Sequence, residues 1–175
     1  MRTDMQRVQW LTFVAPTAAW ACVAVGTREQ MEGFLATRPD SEMVVRSVNG
    51  AKCSTHESLF KEWASVLDFP GYFGHNWDAF HDCMTDMSWL PGSSYTVVVS
   101  DFDKVLPGTE LNYKLFLESL EDSAKAGVRT VGWPPGVSER PGRLTFVFHV
   151  EESNVVAVDS RLSDTGVSVP FYQLP

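Results

Sequence analysis

At 175 residues the chain is long enough for one domain with a substantial core, and a hydrophobic content of 44% excludes a disordered chain. Acidic residues outnumber basic ones 22 to 14, for a net charge of −8. Such a surface repels nucleic acid and draws basic partners, acting through field and association rate and not through fold.

The chain opens with Arg2 and Arg7 ahead of an apolar stretch from Trp10 to Val25, and Ala19-Trp20-Ala21 has the form of a leader cleavage site. Asp4 among the arginines and Pro16-Thr17 inside the run favour two short buried strands, Trp10 to Ala15 and Trp20 to Val25, joined by a Pro-Thr-Ala-Ala turn. No stretch reaches the roughly 20 apolar residues of a membrane span. Glu29 to Ala36 reads as a short helix closed by Arg38-Pro39, and Met43 to Val48 as a strand. Ser54 and Glu57 have capping-box spacing, after which Leu59, Phe60, Trp63, Val66 and Leu67 repeat at helical intervals.

Residues 68 to 87 say most about function. An aromatic, glycine-bounded loop, Phe69-Pro70-Gly71-Tyr72-Phe73-Gly74-His75-Asn76, runs straight into a helix. At about 100° per residue that helix has two faces. Trp77, Ala79, Phe80, Cys83, Met84 and Met87 form a core stripe, while Asp78, His81, Asp82, Thr85 and Asp86 form the opposite side. Asp78 and Asp82 stand at i,i+4, where like charges cost a few tenths of a kcal/mol in an isolated helix. Something outside the helix uses that charge.

The helix stops near Leu90-Pro91-Gly92. Tyr95 to Val99 is then a buried strand. Glu110 to Lys125 is a helix with the stripe Tyr113, Phe116, Leu117, Leu120 and Ala124, and Gly127 is placed as its C-terminal cap. Trp133 to Gly142 is a Pro/Gly-rich surface loop, Leu144 to Val150 a strand, and Val155 to Val158 a further strand able to pair with the N-terminal ones. Strands separated by helices imply a parallel sheet with right-handed crossovers. Cys22, Cys53 and Cys83 form no Cys-x-x-Cys pair, which argues against a structural zinc site and for a reducing compartment.

The motif segment resembles the barstar family, the intracellular inhibitors of barnase-type ribonucleases. It matches the family pattern of Pro, two residues, an aromatic and Gly (Pro70 to Gly74), then Asn76-x-Asp78-Ala79 and, three residues later, Asp82-Cys83. Val48-Asn49-Gly50 is similar to the end of the family's first strand, and Ala124-Lys125-Ala126-Gly127 to the end of its third main helix. The resemblance covers roughly residues 43 to 150. It implies an α/β, barstar-like three-layered domain with a small parallel sheet covered by helices, here extended by extra strands at both termini. The expected organisation is a single domain over 1–175: a strand-strand-helix extension at 1–42, the core at 43–150, and a C-terminal extension at 151–175.

The resemblance also implies a mechanism. A ribonuclease cleft is cationic, and a protein blocks it by placing carboxylates where phosphates would lie. Asp82 matches the family's main phosphate-mimicking aspartate and Asp78 a second inhibitory one. Tyr72 matches the loop aromatic that packs on an active-site imidazole. Gly74 allows close backbone approach, and Asn76 caps the helix or bonds across the interface. Phe73 and His75 complete the loop, and Asp122, or Glu121 in the neighbouring register, matches a further acidic contact. His75 replaces an acidic residue and His81 a tryptophan, and both can gain positive charge below a pH of about 6.5.

The resemblance therefore implies a cytoplasmic inhibitor or immunity protein, binding a basic, secreted-type ribonuclease one to one. No cofactor, catalytic residue, direct nucleic-acid contact or membrane contact is implied. Two other readings stand beside it. One is a barstar-like module for a non-ribonuclease partner. The other is a metal-dependent enzyme using His75, Asp78, His81 and Asp82, although no His-Glu-x-x-His or second carboxylate cluster completes such a site. His56 and His149 read as a helix-start and a strand-end residue.

Overall fold

Apolar, β-branched runs bounded by turn residues become strands. The computed structural model describes residues 6–7, 9, 19–37, 43–90, 92, 94–127 and 143–175. Among these, the strands are β1 (Ala21–Val25), β2 (Met43–Asn49), β3 (Ser94–Ser100), β4 (Arg143–Val150) and β5 (Phe171–Gln173). They form one sheet in the order β2-β3-β4-β1-β5, with every pairing parallel. β1, β3 and β4 are buried along nearly their whole length, as strands covered on both faces must be.

The helices are α1 (Arg28–Ala36), α2 (His56–Val66), α3 (Trp77–Asp86), α4 (Glu110–Ala126) and α5 (Val155–Asp164). Connection β1-α1-β2 crosses the sheet in one direction and the later connections cross in the other. Right-handed crossovers therefore put α1 alone on one face and the remaining helices on the other. Packing agrees. Met31 and Phe34 of α1 cover Cys22, Ala24, Val98 and Val147. The larger core joins Val97, Val99, Phe146 and Phe148 to Phe60, Trp63, Phe80, Phe116 and Leu117 from α2, α3 and α4.

Two local expectations need correction. The cap of α2 is Thr55, not Ser54. Its hydroxyl accepts from the Ser58 amide at 3.2 Å and the Ser58 hydroxyl accepts from the Thr55 amide at 3.0 Å, so serine takes the reciprocal role expected of Glu57. The strand expected at Val155 to Val158 is the first turn of α5. Val158 and Leu162 are buried at i,i+4 while Val156 is exposed, and four apolar residues are too few to separate a period of 2 from 3.6. The strand that pairs with β1 comes later, at Phe171–Gln173. Trp10 to Ala15 and Trp133 to Gly142 lie outside the described residues.

Beside the buried Val158 and Leu162, α5 is tied to the core by a polar side chain, Arg161. The Arg161 guanidinium lies 3.6 Å from the Tyr113 ring centroid, donates from Nη1 to the Val105 carbonyl at 2.6 Å, and donates from Nη2 to the Leu106 carbonyl. All three cysteines are buried free thiols; burial pushes Cys22 and Cys53 up to about 12 and Cys83 up to about 11. His56 opens α2, and His149 is buried near the end of β4 with Nε2 3.0 Å from the Gly26 carbonyl, as expected of both.

Candidate functional site

The loop before α3 is shaped by its aromatics. The Phe73 amide donates to the Pro70 carbonyl at 2.9 Å, closing a turn with Tyr72 near its tip. Tyr72 is 75% exposed, while Phe73 is 6% exposed and turned against Phe69 and Phe60, at ring-centroid distances of 5.0 and 5.9 Å. Adjacent aromatics thus have opposite tasks: Phe73 anchors the loop and Tyr72 is presented to solvent. Of the two, only Tyr72 has its ring exposed.

His75 folds back over this anchor. Its ring centroid is 4.7 Å from that of Phe73, its Nδ1 faces the Phe73 carbonyl at 3.0 Å, and its φ is +52°. The left-handed conformation that a glycine would adopt most easily falls on His75, not on its neighbour Gly74. Asn76 then caps α3, its Oδ1 accepting from the Ala79 amide at 2.9 Å and its Nδ2 donating to the Gly74 carbonyl at 3.4 Å. A side chain on Gly74 would press within 3.0 Å of that amide nitrogen, so the glycine leaves room for the cap.

α3 divides as its sequence pattern requires. Phe80, Cys83 and Met84 are buried, and Met87, just past the helix in left-handed conformation, is buried too. Trp77 and Ala79 are half-buried. On the other side Asp78 and Asp82 are exposed, and His81, Thr85 and Asp86 are half-buried. Asp78, in the first turn, benefits from the positive end of the helix dipole. Asp82 and Asp86 run toward the negative end, where no basic residue answers them.

Nor, within the described residues, does any other element place a cation against these carboxylates. Among the described residues, Asp78, Asp82, Asp86 and Asp122 form no ion pair, whereas Asp101 holds Arg28 at 2.6 Å and Lys104 at 2.9 Å, and Glu62 holds Lys52 at 3.3 Å. The sequence carries a signal of this that helix periodicity does not reveal: from Glu62 through Asp103 there is no Lys or Arg. The negative potential over α3 is therefore not cancelled locally, which is what an anion-mimicking surface needs.

α4 lies beside α3. The Trp77 indole Nε1 donates to Asn112 Oδ1 at 3.3 Å, joining the first turns of both helices. Asp122 is exposed on α4, about 15 Å along its axis from Asn112 at 1.5 Å per residue. Glu121 is half-buried and paired with Lys125 at 2.8 Å, so Asp122 is the carboxylate that remains uncompensated. Leu111, 71% exposed at the start of α4, was not marked by the sequence pattern. Among the described residues no cluster of three or more His, Cys, Asp or Glu could hold a metal ion, and His75 is engaged with Phe73.

The sequence model of the family described as "Barstar (barnase inhibitor)" matches residues 43–144, from the first residue of β2 into β4. The chain belongs to the barstar family. The match spans β2, α2, the loop, α3, β3, α4 and the first two residues of β4, while β1, α1, α5 and β5 lie outside it. No curated protein matches the chain.

Among solved structures, this barstar family member is similar to a chain in the Drosophila ORC bound to AT-rich DNA and Cdc6, with 14% identity and a TM-score of 0.48 over 89% of this chain and 48% of that one. It is also similar to Cdc6p from Pyrobaculum aerophilum, with 12% identity and a TM-score of 0.48 over 88% of this chain and 38% of that one. The chain thus spans half or less of the length of these neighbours, and likeness at this level carries no functional weight. The turn after β1 is Gly26-Thr27. Its capping groups are engaged within the chain: Thr27 caps α1 with Gln30, and Gln30 Nε2 donates to the Pro175 carbonyl at 3.0 Å.

Proposed function

We propose that this chain is a proteinaceous inhibitor of a barnase-type ribonuclease, plugging the catalytic cleft with the acidic face of α3 and the Tyr72 loop. The carrying observation is that Asp78 and Asp82 are exposed one turn apart, without a cationic partner among the described residues, in a stretch free of Lys and Arg. Two carboxylates on adjacent turns, about 6 Å apart along the axis, present charge at roughly the spacing of neighbouring phosphates in a nucleic-acid strand. Arg and Lys that bind phosphate oxygens bind carboxylates with the same charge-assisted hydrogen bonds.

The loop supplies the second component. Tyr72 offers a flat amphipathic ring with little side-chain freedom to lose, a property favoured in interface anchors. Phe73, His75 and Asn76 hold the loop in one shape before any partner arrives, which reduces the ordering cost of association. In this reading the protein performs no catalysis, binds one ribonuclease at a time, needs no cofactor, and acts in the cytoplasm as an immunity protein for the producing cell. His81, on the same face as Asp82, makes the surface less uniformly acidic and sets which ribonuclease is accepted.

The test is a pull-down against proteins encoded beside this gene and against barnase-type ribonucleases, followed by an RNA-cleavage assay titrated with the pure chain. Stoichiometric loss of cleavage, relieved by Asp82→Ala, is the expected result. A stable complex with a protein that cuts no RNA would replace this reading with that of a barstar-like module for another partner.

A further inference from the structure

The exposed face of α4 beside α3 carries an apolar spot that the acidic surface does not account for. Tyr72, Leu111 and Val156 are the large exposed hydrophobic side chains among the described residues, at 75%, 71% and 78%. Tyr72 and Leu111 both lie close in sequence to the Trp77–Asn112 hydrogen bond: Tyr72 in the loop before Trp77, and Leu111 next to Asn112. On α4, Leu111, Leu115, Glu118 and Asp122 recur at i, i+4, i+7 and i+11 and share one line along the helix. Asn112, turned to α3, stands between that line and the buried stripe of Tyr113, Phe116, Leu117 and Leu120.

This line is apolar at its start and ends on the uncompensated Asp122. Glu118 is met by Lys114 at 3.7 Å and adds little net field. Leu111 is exposed and Leu115 half-buried. Burying an exposed leucine is favourable for any partner that covers it, and an interface core surrounded by charged groups is the usual arrangement of a docking site.

We infer that Leu111, supported by Leu115, is a second anchor of the docking surface, and that its occupant is an apolar patch on the rim of the same cationic ribonuclease cleft. This rests on the inhibitor reading proposed above. Charge complementarity decides the occupant: the leucine line ends on Asp122 and runs along the helix packed beside α3, whose Asp78 and Asp82 are exposed and form no ion pair among the described residues, and this negative charge attracts a basic protein and opposes a second copy of this acidic chain. Tyr72 and Leu111 then work as a pair, one from the loop and one from α4. Because Leu111 is uncharged it contributes to residence time and not to electrostatic steering.

The experiment measures inhibition constants and rates of association and dissociation against a barnase-type ribonuclease for wild type, Leu111→Ser, Asp82→Ala and Val156→Ser. Leu111 and Val156 are exposed, so neither serine substitution disturbs the core. Leu111→Ser is expected to speed dissociation about tenfold with little change in association, the scale of one buried leucine, and Val156→Ser to stay within about twofold. If Asp82→Ala weakens binding while Leu111→Ser stays within about twofold, the second anchor is wrong and the inhibitor reading stands. If Asp82→Ala also has no effect, or wild type inhibits no such enzyme, both fall together. Equal losses from Leu111→Ser and Val156→Ser, or a dimer of the free chain broken by Leu111→Ser, would overturn the inference.

Discussion

Arg161→Met removes a guanidinium and keeps a similar apolar stem, and its cost can be worked from three contacts. Two are hydrogen bonds from a charged donor to the Val105 and Leu106 carbonyls, on a segment where both side chains are fully buried and Leu106 has a φ of +47°. Each such bond nets about 1.5–3 kcal/mol, and losing the donor takes it from both carbonyls, although the Leu106 carbonyl still accepts from the Thr109 hydroxyl at 3.1 Å. The third contact is the cation over Tyr113, worth about 0.5–2 kcal/mol. One group makes all three, so they do not add in full. A loss of about 3 kcal/mol is expected, a large part of the 5–15 kcal/mol that stabilises an ordinary domain. For a chain of this size that lowers Tm by about 6–12 °C. Arg161→Lys, which returns the charge without the two-pronged geometry, should recover only part of the loss. Urea unfolding followed by tryptophan fluorescence measures both variants. A loss below about 1 kcal/mol for Arg161→Met would refute the view that this side chain fastens α5 to the core.

Other outcomes follow from single contacts. Thr55→Ala should cost about 1 kcal/mol in urea melts and Ser54→Ala almost nothing; the reverse order would return the cap of α2 to Ser54. Burial works to raise the Asp101 carboxyl, but Lys104 and Arg28 together outweigh it and hold the group below its ordinary range. A depressed folded value means the stabilisation is complete above about pH 4 and lost as pH falls through that lower value. The deficit of Asp101→Asn relative to wild type should therefore shrink in urea melts below about pH 4, and a constant deficit down to about pH 2.5 would contradict the ion-pair account. With thiols pushed to about 11 and 12, Cys22, Cys53 and Cys83 should resist iodoacetamide at pH 8 until the chain unfolds; rapid native labelling would show that one of them is open to solvent.

The parts of this fold that were legible in the sequence are those where one physical rule dominates. α2, α3 and α4 follow from a 3.6-residue apolar period, and β3 and β4 from apolar runs flanked by turn residues. Asn76 as cap of α3 and Gly127 as cap of α4, at φ +72°, follow from local backbone chemistry. Errors arose where two rules give the same pattern. Val155 to Val158 is apolar and β-branched, so local propensity favours a strand, but Leu162 and Arg161 reach the core only from a helix. Ser54 and Thr55 are equally good caps by type, and only the backbone shows which one turns. Ala124 packs half-buried against the core as the α4 stripe requires, and what the apolar period does not mark is its neighbour Ser123, fully buried with its hydroxyl donating to the Ser119 carbonyl at 2.6 Å. The exposed acidic face of α3 was legible because its residues are contiguous. The exposure of Leu111 was not, because the start of α4 is joined to the start of α3 through the Trp77–Asn112 contact between residues 35 apart in sequence, which no local pattern reveals.

The central claim is that the α3 carboxylates stand where phosphates would lie in a ribonuclease cleft. A double-mutant cycle addresses it directly: Asp82→Ala in this chain against replacement, by alanine, of a phosphate-binding Arg or Lys in a ribonuclease that the chain inhibits. The account predicts a coupling energy of about 1.5 kcal/mol or more, the lower end of the scale set by close charge pairs in the barnase–barstar complex itself and carried over from it. Coupling within about 0.5 kcal/mol of zero at every phosphate-binding cation of the cleft would contradict the account.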